Sequence, residues 1–405
     1  MRKLCYLFCF LITVFLISCE SDSISESGTT PENSFEPSPD SSEGESGDYV
    51  SGDSGEPSGS GQDDGFEPGK ITAGEWNDLN NWEFWGDITN NQEFSEITSS
   101  WDFYTQKRIS VAVNDESGNP LNNVKVELQN KNNTTVWTAI TDNFGTAELW
   151  PAIFAQDAAE ISELSFIVNG EKLNQSVIGF SEGINKLTIA TNQEPANKIE
   201  ISFVVDATGS MSDELEFLKE DLKSVISKVK EVDNSLKIYT STVFYRDVDD
   251  EYVTKFSNFT SDINTTVNFI NAQSANGGGD FPEAVHSALD IAINDFQWSQ
   301  NAKSRIVFLL LDAPPHDDGQ IIDQLHRDIR VAAGKGIKLI PVTASGINKE
   351  TEFLMRNFAI ATNGTYVFIT NDSGIGNDHL EATVGDYEVE LLNELMVRLI
   401  TKYSE

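Results

Sequence analysis

Two nearly continuous apolar runs in this chain end abruptly in an aspartate: "FVVD" at Asp206 and "LLLD" at Asp312. Thr208 and Ser210 follow the first of them, in "VVDATGSMSDE". A third loop, "SANGGGDFPEAV", brings Asp280 after three consecutive glycines. Three carboxylates and two hydroxyls are hard oxygen donors, a set that suits Mg²⁺, Mn²⁺ or Ca²⁺, whereas zinc prefers His or Cys. Each residue also has a simpler reading. Ser210 with Asp213 reads as Ser-x-x-Asp, close to a capping box, and Asp280 with Glu283 reads as Asp-x-x-Glu with Pro282 in the first turn. Capping explains Asp280 as well as metal binding does. It explains neither why Asp206 ends a buried strand nor why Asp312 repeats the arrangement. A phosphate-cradling loop is the other alternative, but converging carboxylates repel phosphate unless a cation lies between them. His316, in "DAPPHDD", is the one plausible proton shuttle at this rim. His286 falls in an expected helix, His326 and His379 form no ligand pattern, and no HExxH, GxSxG or Walker-type motif occurs.

The elements that must position these residues are short strands apolar on both faces: "KIEISFVVD", "LKIYTSTVFY", "RIVFLLLD", "IKLIPVTA" and "TYVFIT". Amphipathic helical stretches alternate with them, such as Asp213 to Val232 with Leu215, Leu218, Leu222, Ile226 and Val229 on one stripe. This pattern predicts an α/β domain over 197–405, a doubly wound and mostly parallel sheet covered on both faces. In such sheets ligands bind beyond the carboxyl ends of the strands, where Asp206 and Asp312 would emerge together.

"DATGS" fits the Asp-x-Ser/Thr-x-Ser pattern, and this half of the chain resembles von Willebrand factor A domains, Rossmann-like folds with a metal-ion-dependent adhesion site. The resemblance implies that Asp206, Thr208 and Ser210 are first-loop ligands and that Asp312 is the acid from the later strand. Most members place a threonine in the second loop. "GGGDFPE", with "YRD" at Tyr245 to Asp247 and "DAPPH" at Asp312 to His316, resembles instead a subgroup carrying Gly-Gly-Gly-Asp-x-Pro-Glu. If Asp280 joins the other two acids, three carboxylates more than offset a dication; the ion would then be held tightly and pull weakly on a partner's acid. Asp213 and Glu214 stand where integrin β-type domains carry an adjacent metal site, although acids are stabilising in any first helical turn.

Upstream, "RISVAVNDESGNPLNNVKVELQN" and "VWTAITDNFGTAELW" alternate apolar and polar residues around Gly/Asn turns, as antiparallel strands do. The stretch 107–192 resembles carboxypeptidase-regulatory-like and Cna-B-type modules. That resemblance implies a small prealbumin-like all-β sandwich serving as a spacer or presentation module. Residues 71–106, with Trp76, Trp82, Trp85 and Trp101, read as an aromatic-rich segment packed on a neighbouring domain rather than as a sugar-stacking surface. Residues 19–70 are rich in Ser, Gly, Glu and Asp and read as a disordered acidic tether. Its "GDSGEP" matches a serine-protease stretch only superficially, since nothing there would activate Ser54.

Residues 1–18 form an expected lipoprotein signal peptide: Arg2 and Lys3 precede an apolar run too short to span comfortably. "LISC" resembles the bacterial lipobox, which implies acylation at Cys19 and a membrane anchor without a spanning helix. The 3 cysteines of the chain include Cys5 and Cys9 in the removable segment, so no disulfide is left to form. A formal net charge of -38 over 405 residues argues against nucleic acid as a partner. Glu20 and Asp22 behind the lipobox resemble the export signal of surface lipoproteins in Bacteroidetes-type bacteria. The expectation is a non-enzymatic lipoprotein of the bacterial envelope, lipid-anchored at the outer membrane and surface-exposed. Its A domain would bind a divalent cation, Mg²⁺ first, and engage a protein ligand or envelope complex. The alternatives are a metal-assisted hydrolase using Asp206, Asp280 and Asp312 with His316, or a scaffold subunit whose metal is structural.

Overall fold

The computed structural model describes residues 67–155, 160–190, 196–232 and 235–405. The expected signal peptide, Cys19 and nearly all of the expected tether lie outside the described residues. Within them, β1 (Thr72–Trp76) is followed by α1 (Trp82–Thr89) and α2 (Gln92–Trp101). A run of short strands comes next: β2 (Ile109–Asn114), β3 (Lys125–Gln129), β4 (Thr135–Ile140), β5 (Thr146–Leu149), β6 (Ser165–Val168), β7 (Glu171–Lys172) and β8 (Asn185–Thr188). Strands and helices then alternate: β9 (Ala196–Asp206), α3 (Ser212–Val232), β10 (Lys237–Tyr245), β11 (Thr254–Thr260), α4 (Ile263–Asn271), α5 (Val285–Asp290), β12 (Ala302–Leu311) and α6 (Gly319–Lys335). The chain closes with β13 (Ile337–Thr343), α7 (Lys349–Ala361), β14 (Tyr366–Ile369), β15 (Glu390–Leu391) and α8 (Leu392–Lys402).

The principal sheet has eight strands in the order β11-β10-β9-β12-β13-β14-β1-β15. Strands β10, β9, β12, β13 and β14 are mutually parallel. Helices α3, α4 and α8 cover one face, where Ile201, Phe203, Val205, Phe308 and Leu310 meet Leu218, Leu222 and Leu395. Helices α5, α6 and α7 cover the other, against Val204, Val307, Leu309 and Leu339. Successive residues of β9 and β12 thus point into two different cores, which is why these strands read as unbroken apolar runs. Burial of that surface is the main drive for the α/β fold.

The remaining strands form a three-stranded sheet, β5-β2-β8, and a four-stranded sheet, β4-β3-β6-β7. A spacer would make few contacts with the domain it presents, yet this sandwich shares its hydrophobic core with the α5–α7 face. Asn122 and Asn123 donate to the Lys303 and Ala302 carbonyls at 2.7 and 2.8 Å, and Lys338 pairs with Asp142 at 3.0 Å. The spacer expectation is corrected accordingly: the sandwich is docked on the α/β domain.

The tryptophan segment goes further than packing. Its strand β1 enters the principal sheet, antiparallel to β14. Trp85 stacks on Phe353 of α7 with ring centroids 5.2 Å apart, and the Trp101 indole donates to Glu350 at 2.7 Å. Beneath them the fully buried Arg356 donates to Asp78 through Nε and Nη2 at 2.9 and 2.6 Å, and through Nη1 to Glu352 at 3.1 Å. Removing one member of a buried ion pair strands the other's charge. Asp78→Ala should therefore lower unfolding free energy by about 3–5 kcal/mol in urea titration; a loss below about 1 kcal/mol, the range of an exposed pair, would contradict this role for the contact.

Candidate functional site

The site lies at the carboxyl edge of the parallel strands. Val205 of β9 is registered with Leu310 of β12, so Asp206 and Asp312 leave neighbouring strands side by side. Tyr245, the last residue of β10, flanks Asp206 from the other strand. All three are buried.

After Asp206 the chain folds back on its own carboxylate. The Thr208 N–H and hydroxyl both donate to Asp206 Oδ1, at 2.8 and 2.7 Å, and the Ser210 hydroxyl lies 3.1 Å from that of Thr208. A short 3₁₀ turn, Gly209–Met211, leads into α3 at Ser212. Ser210 is therefore not the cap of α3, and the capping-box reading fails because the turn intervenes. The hydroxyls are instead presented at the strand ends.

The glycine loop is zipped onto this turn. Gly209 N–H donates to Gly277 O at 3.0 Å, and Asn276 N–H donates to Ala207 O at 3.0 Å. Gly277 and Gly278 both have positive φ, and a β-carbon on Gly278 would stand 3.0 Å from Glu283 Oε1 and 3.3 Å from Thr208 Cβ. Asp250 Oδ2 clamps the loop by accepting from Gly278 N–H at 2.8 Å and Asp247 N–H at 3.0 Å. The stretch then exposes Asp280 and buries Glu283, whose N–H donates to Pro314 O at 2.9 Å.

Asp280 neither caps a helix, since α5 begins at Val285, nor makes an ion pair or hydrogen bond among the described residues. The acid this loop turns inward is Glu283. Both acids stood in "GGGDFPE", and nothing in that motif says which of the two is buried. Asp247 was legible only as part of "YRD"; its carboxylate accepts a 2.7 Å hydrogen bond from His316 Nε2, which places His316 at the rim. Asp213 and Glu214 part company. Asp213 is exposed and accepts from Asn377 at 3.2 Å. Glu214 is buried, accepts from the Ser345 N–H at 3.1 Å and lies 3.0 Å from His379 Nε2. The two do not share a site.

Burial dominates the electrostatics. It raises Asp206 to about 7, helped by repulsion from Asp312, and raises Asp312 to about 6, with the Ser210 hydroxyl offsetting and Glu214 adding to the shift. Glu283 is raised to about 9 by burial and then by Asp206, Asp247 and Asp312. Burial and the same acids push the Tyr245 phenol well above its ordinary value. Among the described residues no cationic side chain pairs with them: Arg246 donates to the Ala207 and Ser274 carbonyls instead. Asp206 Oδ2, Asp312 Oδ1 and Glu283 Oε2 are buried without any hydrogen-bond partner. Unpartnered buried oxygens are rare and costly, and here they accompany two hydroxyls in a set that fits a hard divalent cation. Among the described residues no three His, Cys, Asp or Glu side chains converge closely enough to hold an ion by themselves. At this rim the hydroxyls of Thr208 and Ser210 would have to complete the pair of aspartates.

This arrangement of sheet, strand-end acids and hydroxyl turn defines an α/β domain with its binding edge at the strand termini. A family model described as von Willebrand factor A domain matches residues 200–374, and this part of the chain has that mixed, mostly parallel α/β fold. The chain is 33% identical over 140 residues to the putative ariadne-like RING finger protein R811 of Acanthamoeba polyphaga mimivirus, covering 34% of this chain and 13% of that protein. It is 32% identical over 120 residues to the alpha-protein kinase vwkA of Dictyostelium discoideum, covering 29% and 19% respectively. The chain thus spans less than a fifth of the length of these curated relatives. Among solved structures it is similar to the conserved hypothetical protein BatB of Bacteroides thetaiotaomicron, with TM-score 0.36 and 16% identity over 51% of this chain and 98% of that one. An aerotolerance-related membrane protein of Bacteroides fragilis gives TM-score 0.32 and 14% identity over the same shares.

The raised carboxyls set a pH dependence. With Asp206 at about 7, Asp312 at about 6 and Glu283 at about 9, the metal-free fold binds more protons than the unfolded chain from roughly pH 4 upward. Their contribution to stability is complete below the unfolded values and is lost as pH rises through the folded ones. A bound cation replaces those protons, so the Tm gain from saturating Mg²⁺ should be small near about pH 5 and large near about pH 8. Equal gains at both pH values in thermal melts would contradict it.

Proposed function

We propose that this protein is an envelope-anchored interaction module whose von Willebrand factor A domain holds a divalent cation, Mg²⁺ first, at Asp206, Thr208, Ser210 and Asp312. One observation carries the reading: two buried aspartates on adjacent strand ends keep oxygens unpartnered beside two hydroxyls. When bound, the ion supplies a fixed positive charge that ties the loops into one conformation. The chain's own residues do the rest. Thr208 orients Asp206, Asp250 holds the glycine loop against the hydroxyl turn, and Asp247 fixes His316 at the rim.

A binding role suits this geometry better than catalysis. A metal-assisted hydrolase needs a base poised beside the ion; the candidate proton shuttle, His316, hydrogen-bonds Asp247 and none of Asp206, Thr208, Ser210 or Asp312 among the described residues. The scaffold reading, in which the ion only stabilises the loops, shares the same metal premise. The anchor at acylated Cys19, a position at the outer membrane and exposure at the surface belong to this proposal as well. No helix among the described residues is long and apolar enough to cross a membrane.

Calorimetric titration should give one Mg²⁺-binding event that Asp206→Ala abolishes, by removing one of two anionic donors. Equal heats in wild type and variant would remove the metal site. Capture of a partner that chelator leaves unchanged would favour the scaffold reading over a metal-dependent contact.

A further inference from the structure

Towards the opposite edge of the principal sheet from the strand-end aspartates, a cavity of about 580 Å³ opens between the α/β domain and the sandwich. Ile140 of β4, the loop 297–300, the last turn of α6 and Arg305 of β12 wall it. Arg305 stands seven positions before Asp312, about 23 Å along a strand, so this cavity is separate from the rim described above. Two cations meet in it. Arg305 is 3% exposed, and Lys335 is half-buried. Arg305 Nε donates to the Ser299 carbonyl at 2.7 Å, and its Nη2 donates to Asn123 Oδ1 at 3.0 Å. These contacts occupy two of the five guanidinium N–H groups. Nη1 has no acceptor among the described residues; it lies beside Gly336, where a β-carbon would stand 3.4 Å from it.

Neither cation has a counter-charge of its own. Lys335 donates to the Ile293 carbonyl at 2.6 Å, and neither it nor Arg305 forms an ion pair among the described residues. Glu200, registered with Arg305 on β9, is already engaged: it accepts from the Ser299 N–H and hydroxyl at 2.8 and 2.6 Å and pairs with Lys198 at 2.6 Å. Burial accordingly lowers Arg305 to about 10, with Glu200 partly offsetting, and lowers Lys335 below its ordinary value. A buried charge left without a partner is costly, and an anion in the cavity would relieve both groups. The walls narrow the choice of anion. No Asp or Glu lines the cavity, so a ligand's ammonium group would find no partner there. The guanidinium fork matches the two oxygens of a carboxylate, and Lys335 adds a point charge. Trp298 spends its indole N–H on the Ala292 carbonyl at 2.7 Å and offers the cavity ring surface alone. Gln297 and Gln300 are exposed amides beside it, able to donate and accept, as a hydroxylated body requires.

We propose that this cavity binds a small carboxylate-bearing sugar of the uronic acid class: the carboxylate is held by Arg305 and Lys335, the sugar ring lies against Trp298, and its hydroxyls meet Gln297 and Gln300. The volume is that of an ordinary small-molecule site. A purely structural Arg305, bridging the sandwich to the α/β domain through Asn123, accounts for Nη2 but not for the free Nη1 or for Lys335 beside it. The site needs neither the divalent cation nor the rim.

Ligand-observed NMR titration of the full-length protein tests it, with galacturonate and glucuronate set against galactose, glucose and inorganic phosphate. The uronates should bind about tenfold or more tightly than their neutral parents, the difference that a charge-assisted hydrogen bond makes. Arg305→Lys keeps the charge but loses the fork, and should weaken uronate binding about tenfold. Because Arg305 also bridges Ser299 and Asn123, the half-buried Lys335 supplies the second variant: Lys335→Gln should weaken uronate by a similar factor while thermal melts show the wild-type fold retained. Phosphate or the neutral sugars binding as tightly as the uronates would overturn the proposal. So would uronate binding that both variants leave unchanged, or no uronate binding by the folded wild-type protein.

Discussion

Two aspartates forced side by side at the ends of buried parallel strands are the constraint around which this domain is built. The register of β9 with β12 leaves Asp206 and Asp312 no room to separate, and burial denies them water. Like charges in such a place are tolerated only if a proton or a cation is shared between them. Among the described residues no lysine or arginine pairs with either acid; Arg246 donates to the Ala207 and Ser274 carbonyls. The chain supplies instead the hydroxyls of Thr208 and Ser210 and a glycine loop close enough to hold them in place. The fold thus leaves a deficit of positive charge at the one edge where α/β sheets bind their ligands.

That edge is held by more of the molecule than the α/β domain alone. Strand β1 comes from a segment about 290 positions upstream of its partner β14, registering Trp76 with Tyr366 and Ala73 with Ile369. Arg356 and Asp78 lock the same segment to α7, and the sandwich shares the core on that face. These contacts make the described residues a single compact unit. A rim fixed to such a body loses little entropy when it meets a partner, which favours recognition by surface complementarity rather than by induced folding.

The strand-end acids, the hydroxyl pair and the alternation of buried strands with amphipathic helices were legible in the sequence because each is a local pattern. Three features were not. The acid that the glycine loop buries is Glu283 rather than Asp280, and which of two acids three positions apart turns inward is not a local pattern. Ser210 reads as a cap until the intervening 3₁₀ turn is seen. Strand β1 carries five residues, too few for a period to emerge, and its pairing is wholly non-local. The docking of the sandwich was hidden for the same reason: Lys338 and Asp142 are nearly 200 positions apart, and nothing in either neighbourhood announces the other.

The account stands on a cation shared by the two strand-end aspartates, and anomalous diffraction from Mn²⁺-soaked crystals tests that directly. One anomalous peak should appear within coordination distance of Asp206 or Asp312 carboxylate oxygens and the Ser210 hydroxyl, with Asp280 directed to solvent. Crystals with full-occupancy protein, saturating Mn²⁺ at neutral pH or above and no peak between Asp206 and Asp312 would contradict it.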